Sequence, residues 1–279
     1  MREKLDFLKD IAKKAGAVMM ASWERDVAVF QKPDNTIVTS VDLEISQIVC
    51  RSILDVYPDS ALLTEETSGK LLYPKRTGFI VDELDGTYSY SIKRPGFTFQ
   101  CAYYENFDQL NIGLIYDPLR DLMVYSLKGE GVWLEEAGQI EKLVSIGKKP
   151  WLSLRFGHHR TYMTQTHRKM YSLMGVKAEN IVPTGSIGSK TIDFALGKID
   201  AIIALNRVVS PWDWAPGKAI LEELGYHFSH LTGEEVMLRY PGNFVGFGYL
   251  VCPPEHLEKF RRELHWIIRR VSRRGRKKI

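Results

Sequence analysis

The chain has 279 residues, 44% hydrophobic and 26% charged, the balance of a globular protein able to bury its own core. Its three cysteines, Cys50, Cys101 and Cys252, lie far apart in apolar stretches, which speaks against a disulfide scaffold or a zinc finger and for reduced thiols in a cytoplasmic protein. The net charge is +4, yet seven Lys or Arg and no acid lie from Arg269 onward, and without those seven the body stands at −3.

The basic stretch reads as a solvated helix end, with contact to nucleic acid or an anionic surface as the alternative; it has no interleaved aromatic residues, which argues against a nucleic-acid protein. The N-terminal residues 1–16 carry no apolar leader core, and no apolar run approaches the roughly 20 residues needed to cross a membrane. Residues 4–22 are expected to form an amphipathic helix with Leu5, Leu8, Ile11, Ala12, Ala15, Val18 and Met19 on one face. Residues 41–56 give a second, with Val41, Ile45, Ile48, Val49 and Ile53 inward, ended by Tyr57-Pro58-Asp59. A short strand follows at Ala61–Thr64, and another at Gly78–Val81 runs into a turn at Asp82–Thr87. Segments near 97–104, 110–116, 121–127 and 131–134, punctuated by Asp117-Pro118 and Gly129-Glu130-Gly131, have the rhythm of an antiparallel meander. From about 150 strands and helices alternate: strands at Trp151–Phe156, 181–183, Ile199–Leu205 and Phe244–Val251, and helices at 162–174, 188–197, Pro211–Leu224 and 254–272. The pattern divides into an α+β half over 1–145, carrying most candidate ligands, and an α/β half over 146–279.

Four acidic positions stand out by placement. Asp82 and Asp85 follow the apolar strand Gly78-Phe79-Ile80-Val81, with Gly86 next. Glu65-Glu66 closes the run Ala61-Leu62-Leu63-Thr64. Asp213 sits where a loop enters a helix, between Trp212 and Trp214, and Asp42 opens the second helix. Taken singly, each has an ordinary role as a helix cap, a turn residue or a solvated charge. Converging on one cleft, they would repel one another unless cations neutralised them, and carboxylates are the ligands a hard divalent ion takes.

These residues also fall into recognisable motifs. Asp82-Glu83-Leu84-Asp85-Gly86-Thr87 resembles the Asp-Pro-Ile/Leu-Asp-Gly-Thr signature of the inositol monophosphatase family, and Trp212-Asp213-Trp214-Ala215-Pro216-Gly217 its Trp-Asp-x-Ala-x-Gly signature. Thr64-Glu65-Glu66, Thr39-Ser40-Val41-Asp42 and Gly185-Ser186 look like its Gly-Glu-Glu, Thr-x-x-Asp and Gly-Ser/Thr elements, all in the family's order. The resemblance implies an α+β fold, a layered α/β/α/β/α sandwich of two tightly packed halves, dimeric, with Mg²⁺ between the halves. It implies Glu65, Asp82 and the Leu84 carbonyl as ligands of one Mg²⁺, and Asp82, Asp85 and Asp213 as ligands of a second. Glu65 and Thr87 would orient and deprotonate water, Asp42 would support Thr87, and the backbone of Gly86 and Thr87 would cradle phosphate. The implied activity is Mg²⁺-dependent, Li⁺-sensitive hydrolysis of a small phosphorylated metabolite.

The match departs from the pattern in places that bear on substrate. Glu83 stands where the family has Pro, either facing solvent or altering the metal loop. Asn206 or a neighbour falls where inositol-specific members place a substrate-binding Glu, which weakens inositol phosphate as the substrate. His158-His159-Arg160 after a strand and Lys190, five residues beyond Gly185, are candidates to recognise a second phosphate or a nucleotide, as in the related 3′(2′),5′-bisphosphate nucleotidases. Gly185, Ser186, Lys190, Asn206 and His158 thus join Gly86 and Thr87 as candidate substrate contacts. Fructose-1,6-bisphosphate and histidinol phosphate are further options, and a catalytically weak phosphate-binding protein is the rival from another class.

Overall fold

The computed structural model describes residues 1–33, 35–67, 75–205, 209–238 and 248–265. Helix α1 (Arg2–Trp23) buries Leu5, Leu8, Ile11, Ala12, Ala15 and Met19, the expected face. A short hairpin of β1 (Val29–Gln31) and β2 (Ile37–Thr39), too brief to show in the sequence pattern, leads into α2 (Ser40–Val56). Thr39 caps α2: its side chain accepts from the Val41 and Asp42 N–H groups, and Asp42 accepts from the Thr39 N–H at 2.8 Å. Asp42 is therefore the third residue of a capping box, with its carboxylate held from below.

The first sheet takes β3 (Ala61–Thr64), β4 (Gly78–Asp85), β5 (Thr98–Glu105), β6 (Gln109–Asp117), β7 (Leu122–Leu127), β8 (Gly131–Glu136) and β9 (Gln139–Leu143) side by side in chain order. The β3–β4 pair is parallel and the rest is the antiparallel meander, longer by β9 than the sequence suggests. The expected turn at Asp82 is absent: β4 runs on to Asp85, with a register shift between Asp82 and Asp85. Such a bulge re-aims side chains without ending the strand, so both aspartates stay on a rigid platform. A short helix, α3 (Thr87–Ser91), follows.

The second sheet is built from β10 (Phe156–His159), β11 (Ile181–Thr184), β12 (Ala201–Ala204), β13 (His227–His230) and β14 (Tyr249–Cys252), in the order β11-β10-β12-β14-β13. Strands β11, β10 and β12 are parallel; β14 and β13 are antiparallel additions. The strand expected at Trp151–Phe156 begins only at Phe156, because Trp151–Ser153 coils into a 3₁₀ turn after Pro150. Helices α4 (Gln165–Leu173), α5 (Ile187–Ala195) and α6 (Pro211–Glu223) connect these strands. The final helix is described over 257–265; its expected remainder, the basic stretch from Arg269 and Asn206 lie outside the described residues.

Three apolar clusters stack these elements. Leu8, Ile11, Ile45 and Val49 of α1 and α2 cover Phe79, Val81, Phe99 and Leu114 on one face of the first sheet. On its other face Ile80, Ala102 and Ile115 meet Ile192, Phe194, Trp214 and Ile220 of α5 and α6, which also meet Ile202, Phe228 and Val251 of the second sheet. Beyond that sheet, Phe156, Ile203 and Leu250 pack on Met170 and Tyr171 of α4 and on Phe260 and Leu264. The result is a five-layered α/β/α/β/α sandwich, as the resemblance implies. Helix α6 lies in its middle, apolar nearly all round.

The middle layer approaches the first sheet closely at Gly113. A methyl group there would stand 2.5 Å from the Pro216 carbonyl oxygen and 2.8 Å from Ala219 Cβ. Gly113→Val should therefore destabilise the fold by about 3 kcal/mol, since overpacking against a fixed backbone costs 1–3 kcal/mol or more. A urea unfolding midpoint equal to that of the wild type would contradict this packing.

Candidate active site

The end of β4 and the start of α6 bring three carboxylates together. One oxygen from each of Asp82, Asp85 and Asp213 lies within 4.8 Å of the other two. Each side chain is held by neutral donors. Asp82 accepts from the Leu84 N–H at 3.2 Å and from Gln100 Nε2 at 3.4 Å. Asp85 Oδ2 accepts from the Gly188 N–H at 2.5 Å and from Thr98 Oγ1 at 3.1 Å. Asp213 Oδ2 accepts from the Ser210 N–H at 2.8 Å, closing the capping box that starts α6. These donors fix where the oxygens point but do not cancel three like charges. Burial, then mutual repulsion with Glu65 and with one another, raises Asp82 well above the carboxylate range and takes Asp213 up to about 8. Burial likewise raises Asp85, against the bonds from Ser186, Gly188 and Thr98. All-oxygen donors converging in a half-buried cleft match the coordination of a hard divalent cation.

Glu65 lines the same cleft, of about 400 Å³, with Asp82, Asp85, Gly86, Thr87 and Asp213. It stands outside the three-carboxylate cluster, and Lys32 reaches across to it from the β1–β2 turn. Lys32 Nζ is 2.8 Å from Glu65 Oε1 and 2.8 Å from Glu66 Oε1. Burial pushes Glu66 up to about 7 despite that ammonium. Nothing in the sequence links Lys32 to a carboxylate over thirty residues away, and only the hairpin makes the connection.

Thr87 opens α3 directly after Gly86, whose φ of +94° turns the chain out of β4. A methyl group at Gly86 would stand 2.8 Å from the Gly96 carbonyl oxygen and 3.0 Å from Ser186 Cβ, so the turn, the Gly96 loop and the start of α5 meet closely. The Thr87 hydroxyl lies 3.0 Å from Asp42 Oδ1 and 3.0 Å from the Leu84 carbonyl. It can donate its one proton to either, and its oxygen keeps the capacity to accept. Burial raises the Asp42 carboxyl, while bonds from Thr39 and Thr87 oppose the shift.

The remaining candidates separate. Ser186 caps α5, accepting from the Ser189 N–H at 3.3 Å, and Gly185 packs against Gly96. Lys190, one turn into α5, runs over Gly157 of β10. His158 does not face that side: Nδ1 is 3.2 Å from the Tyr171 hydroxyl and Nε2 is 2.7 Å from the Tyr162 carbonyl, so both ring nitrogens are spent inside the protein. Alternation along β10 puts Gly157 and His159 on the α5 face instead. Glu83 is not solvent-facing. It is 1% exposed beside Ser46 of α2, and burial takes its carboxyl up to about 8 against the weaker opposing effect of the Ser46 hydroxyl and the backbone. Trp214 packs in the core as expected.

The sequence and the fold resemble known proteins over most of their length. The family model described as "Inositol monophosphatase family" matches residues 1–268. An inositol-1-monophosphatase of Bacillus subtilis is 27% identical over 236 residues, 81% of this chain and 86% of that protein. A fructose-1,6-bisphosphatase/inositol-1-monophosphatase of Thermotoga maritima is 25% identical, over 84% of this chain and 87% of that protein. The solved structure of a Thermotoga maritima IMPase superposes with a TM-score of 0.81 at 22% identity, covering 96% of this chain and 99% of that one. The chain belongs to the inositol monophosphatase family. Among the described residues, no helix is long and apolar enough to cross a membrane.

Proposed function

We propose that the protein is a Mg²⁺-dependent phosphomonoesterase acting on a small phosphorylated metabolite. The observation that carries this reading is the convergence of Asp82, Asp85 and Asp213 within 4.8 Å, an arrangement whose like charges call for a divalent cation. Mg²⁺ in such a site offsets the negative charge of a phosphoryl group and lowers the pKa of water. Asp82, Asp85 and Asp213 would hold one such ion, and Glu65, Asp82 and the Leu84 carbonyl, which line the same cleft, would hold another. Thr87, its hydroxyl proton directed to Asp42, accepts a hydrogen bond from the attacking water and so orients it. Glu65 takes the proton from that water, once Lys32 no longer occupies its Oε1. The turn at Gly86 lets the chain come close to the phosphate.

The relatives' names support including inositol phosphates and fructose bisphosphate among the test substrates. A homodimer follows from the resemblance, and three free cysteines favour the cytoplasm. Inhibition by Li⁺ belongs to the same reading.

The test is phosphate release from a panel of inositol phosphates, adenosine 3′,5′-bisphosphate, fructose bisphosphate and histidinol phosphate, with Mg²⁺ and with EDTA. Release should require Mg²⁺, and Thr87→Ala should lower kcat by about 100-fold or more, the usual worth of a group that positions and helps deprotonate a nucleophile. Equal turnover in EDTA would refute the reading. The second reading, a phosphate-binding protein without turnover, draws on Glu83, a buried acid where the family pattern has Pro. It predicts that the same esters bind and none is hydrolysed.

A further inference from the structure

We propose that Tyr88 determines specificity: its ring is a platform beside the reacting phosphate on which the leaving group of the ester lies, so that the protein prefers small phosphate monoesters whose alcohol carries a neutral, flat ring. The proposal rests on the phosphatase reading and narrows its substrate class.

The two tyrosines of α3 are used in opposite ways. Tyr90 is fully buried, and its hydroxyl donates to the Met19 carbonyl at 2.7 Å. Its ring meets Phe97 edge-on with centroids 4.9 Å apart and leans on Trp23 at 5.4 Å. Tyr90 thereby ties α3 to α1. Tyr88 is 58% exposed. Among the described residues its ring packs on no other aromatic ring and its hydroxyl makes no hydrogen bond. Its main chain, by contrast, is held: the Tyr88 carbonyl accepts from the Ser91 hydroxyl at 2.9 Å and from the Ile92 N–H at 3.3 Å. A fixed backbone that carries an unpartnered ring presents an aromatic surface in a set place.

Single exposed aromatic residues are common on protein surfaces and carry no meaning by themselves. The position of this one does. Tyr88 directly follows Thr87, the residue that orients water, so their Cα atoms are about 3.8 Å apart. Both line the cleft that holds Asp82, Asp85 and Asp213. Apart from its four acids, the described lining of that cleft is neutral. Leu84 in it is buried, which leaves Tyr88 from α3 and the half-buried Ile37 from β2 as its apolar wall.

The acids serve the phosphoryl end of the ester. The rest of the ester meets a wall that carries no charge of either sign. A flat ring laid on Tyr88 removes two apolar faces from water and sets one π system against another, an attraction that needs no charged partner. A strongly hydrated or charged leaving group would lose water there and find nothing to replace it.

The experiment measures kcat/KM with Mg²⁺ for benzyl phosphate against ethyl phosphate, two primary alkyl esters whose leaving alcohols differ little in acidity. The wild type should favour the benzyl ester by about tenfold or more, the worth of one aromatic stacking contact. Tyr88→Ala should cut that ratio by about fivefold or more, mainly through KM for the benzyl ester, because the ring holds ground state and transition state alike. Tyr88→Phe should keep the ratio. Tyr88→Ala should melt as the wild type does, since the ring supports nothing in the core, and this shows the variant to be folded. Equal use of both esters by the wild type overturns the proposal, and so does a preference that survives in Tyr88→Ala. A preference lost in Tyr88→Phe as fully as in Tyr88→Ala also overturns it, since the hydroxyl and not the ring would then be the contact. If neither these esters nor any member of the phosphate-release panel is hydrolysed, the phosphatase reading fails on its own. Calorimetric binding of benzylphosphonate against ethylphosphonate with Mg²⁺ then decides the platform. A tenfold preference that is lost in Tyr88→Ala upholds it, and equal binding overturns it.

Discussion

Asp213→Asn should leave about one-thousandth or less of the wild-type kcat on any phosphate ester, because a bound metal supplies several kcal/mol of charge stabilisation and each 1.36 kcal/mol is tenfold in rate. The same change should raise the melting temperature of the metal-free protein. Asn keeps the side-chain oxygen that accepts from the Ser210 N–H, so the cap on α6 survives, while the cost of burying an acid beside Asp85 and Glu65, whether as protonation or as repulsion, is gone. Loss of activity with gain of stability separates a ligand role from a structural one. A variant that turns over normally with Mg²⁺ would remove Asp213 from the site.

The second large effect links pH to metal. Asp213 holds its proton to about 8 when folded but releases it near 3.8 when unfolded. Glu83, likewise held to about 8 against 4.5, has the same sign. Folding of the metal-free protein therefore binds protons, and the stability these groups contribute at low pH is lost as pH rises through about 8. His167 acts oppositely, since burial takes it from 6.5 to about 4, so its effect ends near pH 6.5. Between pH 6.5 and 8 the carboxyls dominate. In EDTA the melting temperature should fall across that window, by about 1.4 kcal/mol of stability per pH unit for each proton still held. Saturating Mg²⁺ should flatten or reverse the slope, because it binds the ionised carboxylates. A flat profile in EDTA would mean that the cluster carries no mutual strain.

What the sequence reveals of this protein depends on how each residue is buried. Helices α1 and α2 are legible because each has one wet face, so Leu8, Ile11, Ile45 and Val49 recur at helical spacing. Helix α6 is covered by sheets on both sides and has no such stripe; Ser210, Pro211 and Asp213 reveal its start instead. Asp82 and Asp85 are conspicuous because acids after an apolar strand have few other reasons to be there. The bulge between them is not, since it is fixed by register with Gln100 and Thr98 on another strand. Alternation along β10 fixes only that His158 and His159 face opposite sides, and the contacts of His158 with Tyr171 and Tyr162 and of Gly157 with Lys190 decide which faces α5. Lys32 belongs to a hairpin of two three-residue strands, too short for periodicity to register.

Placing two of the clustered carboxylates on the first sheet and one on the helix between the sheets has a mechanical outcome. A cation taken up by all three would act as a rivet through two layers, joining the end of β4 to the first turn of α6. Without it, the three groups must hold protons or repel one another at the cleft, so whatever screens their charge also fastens one layer to the next.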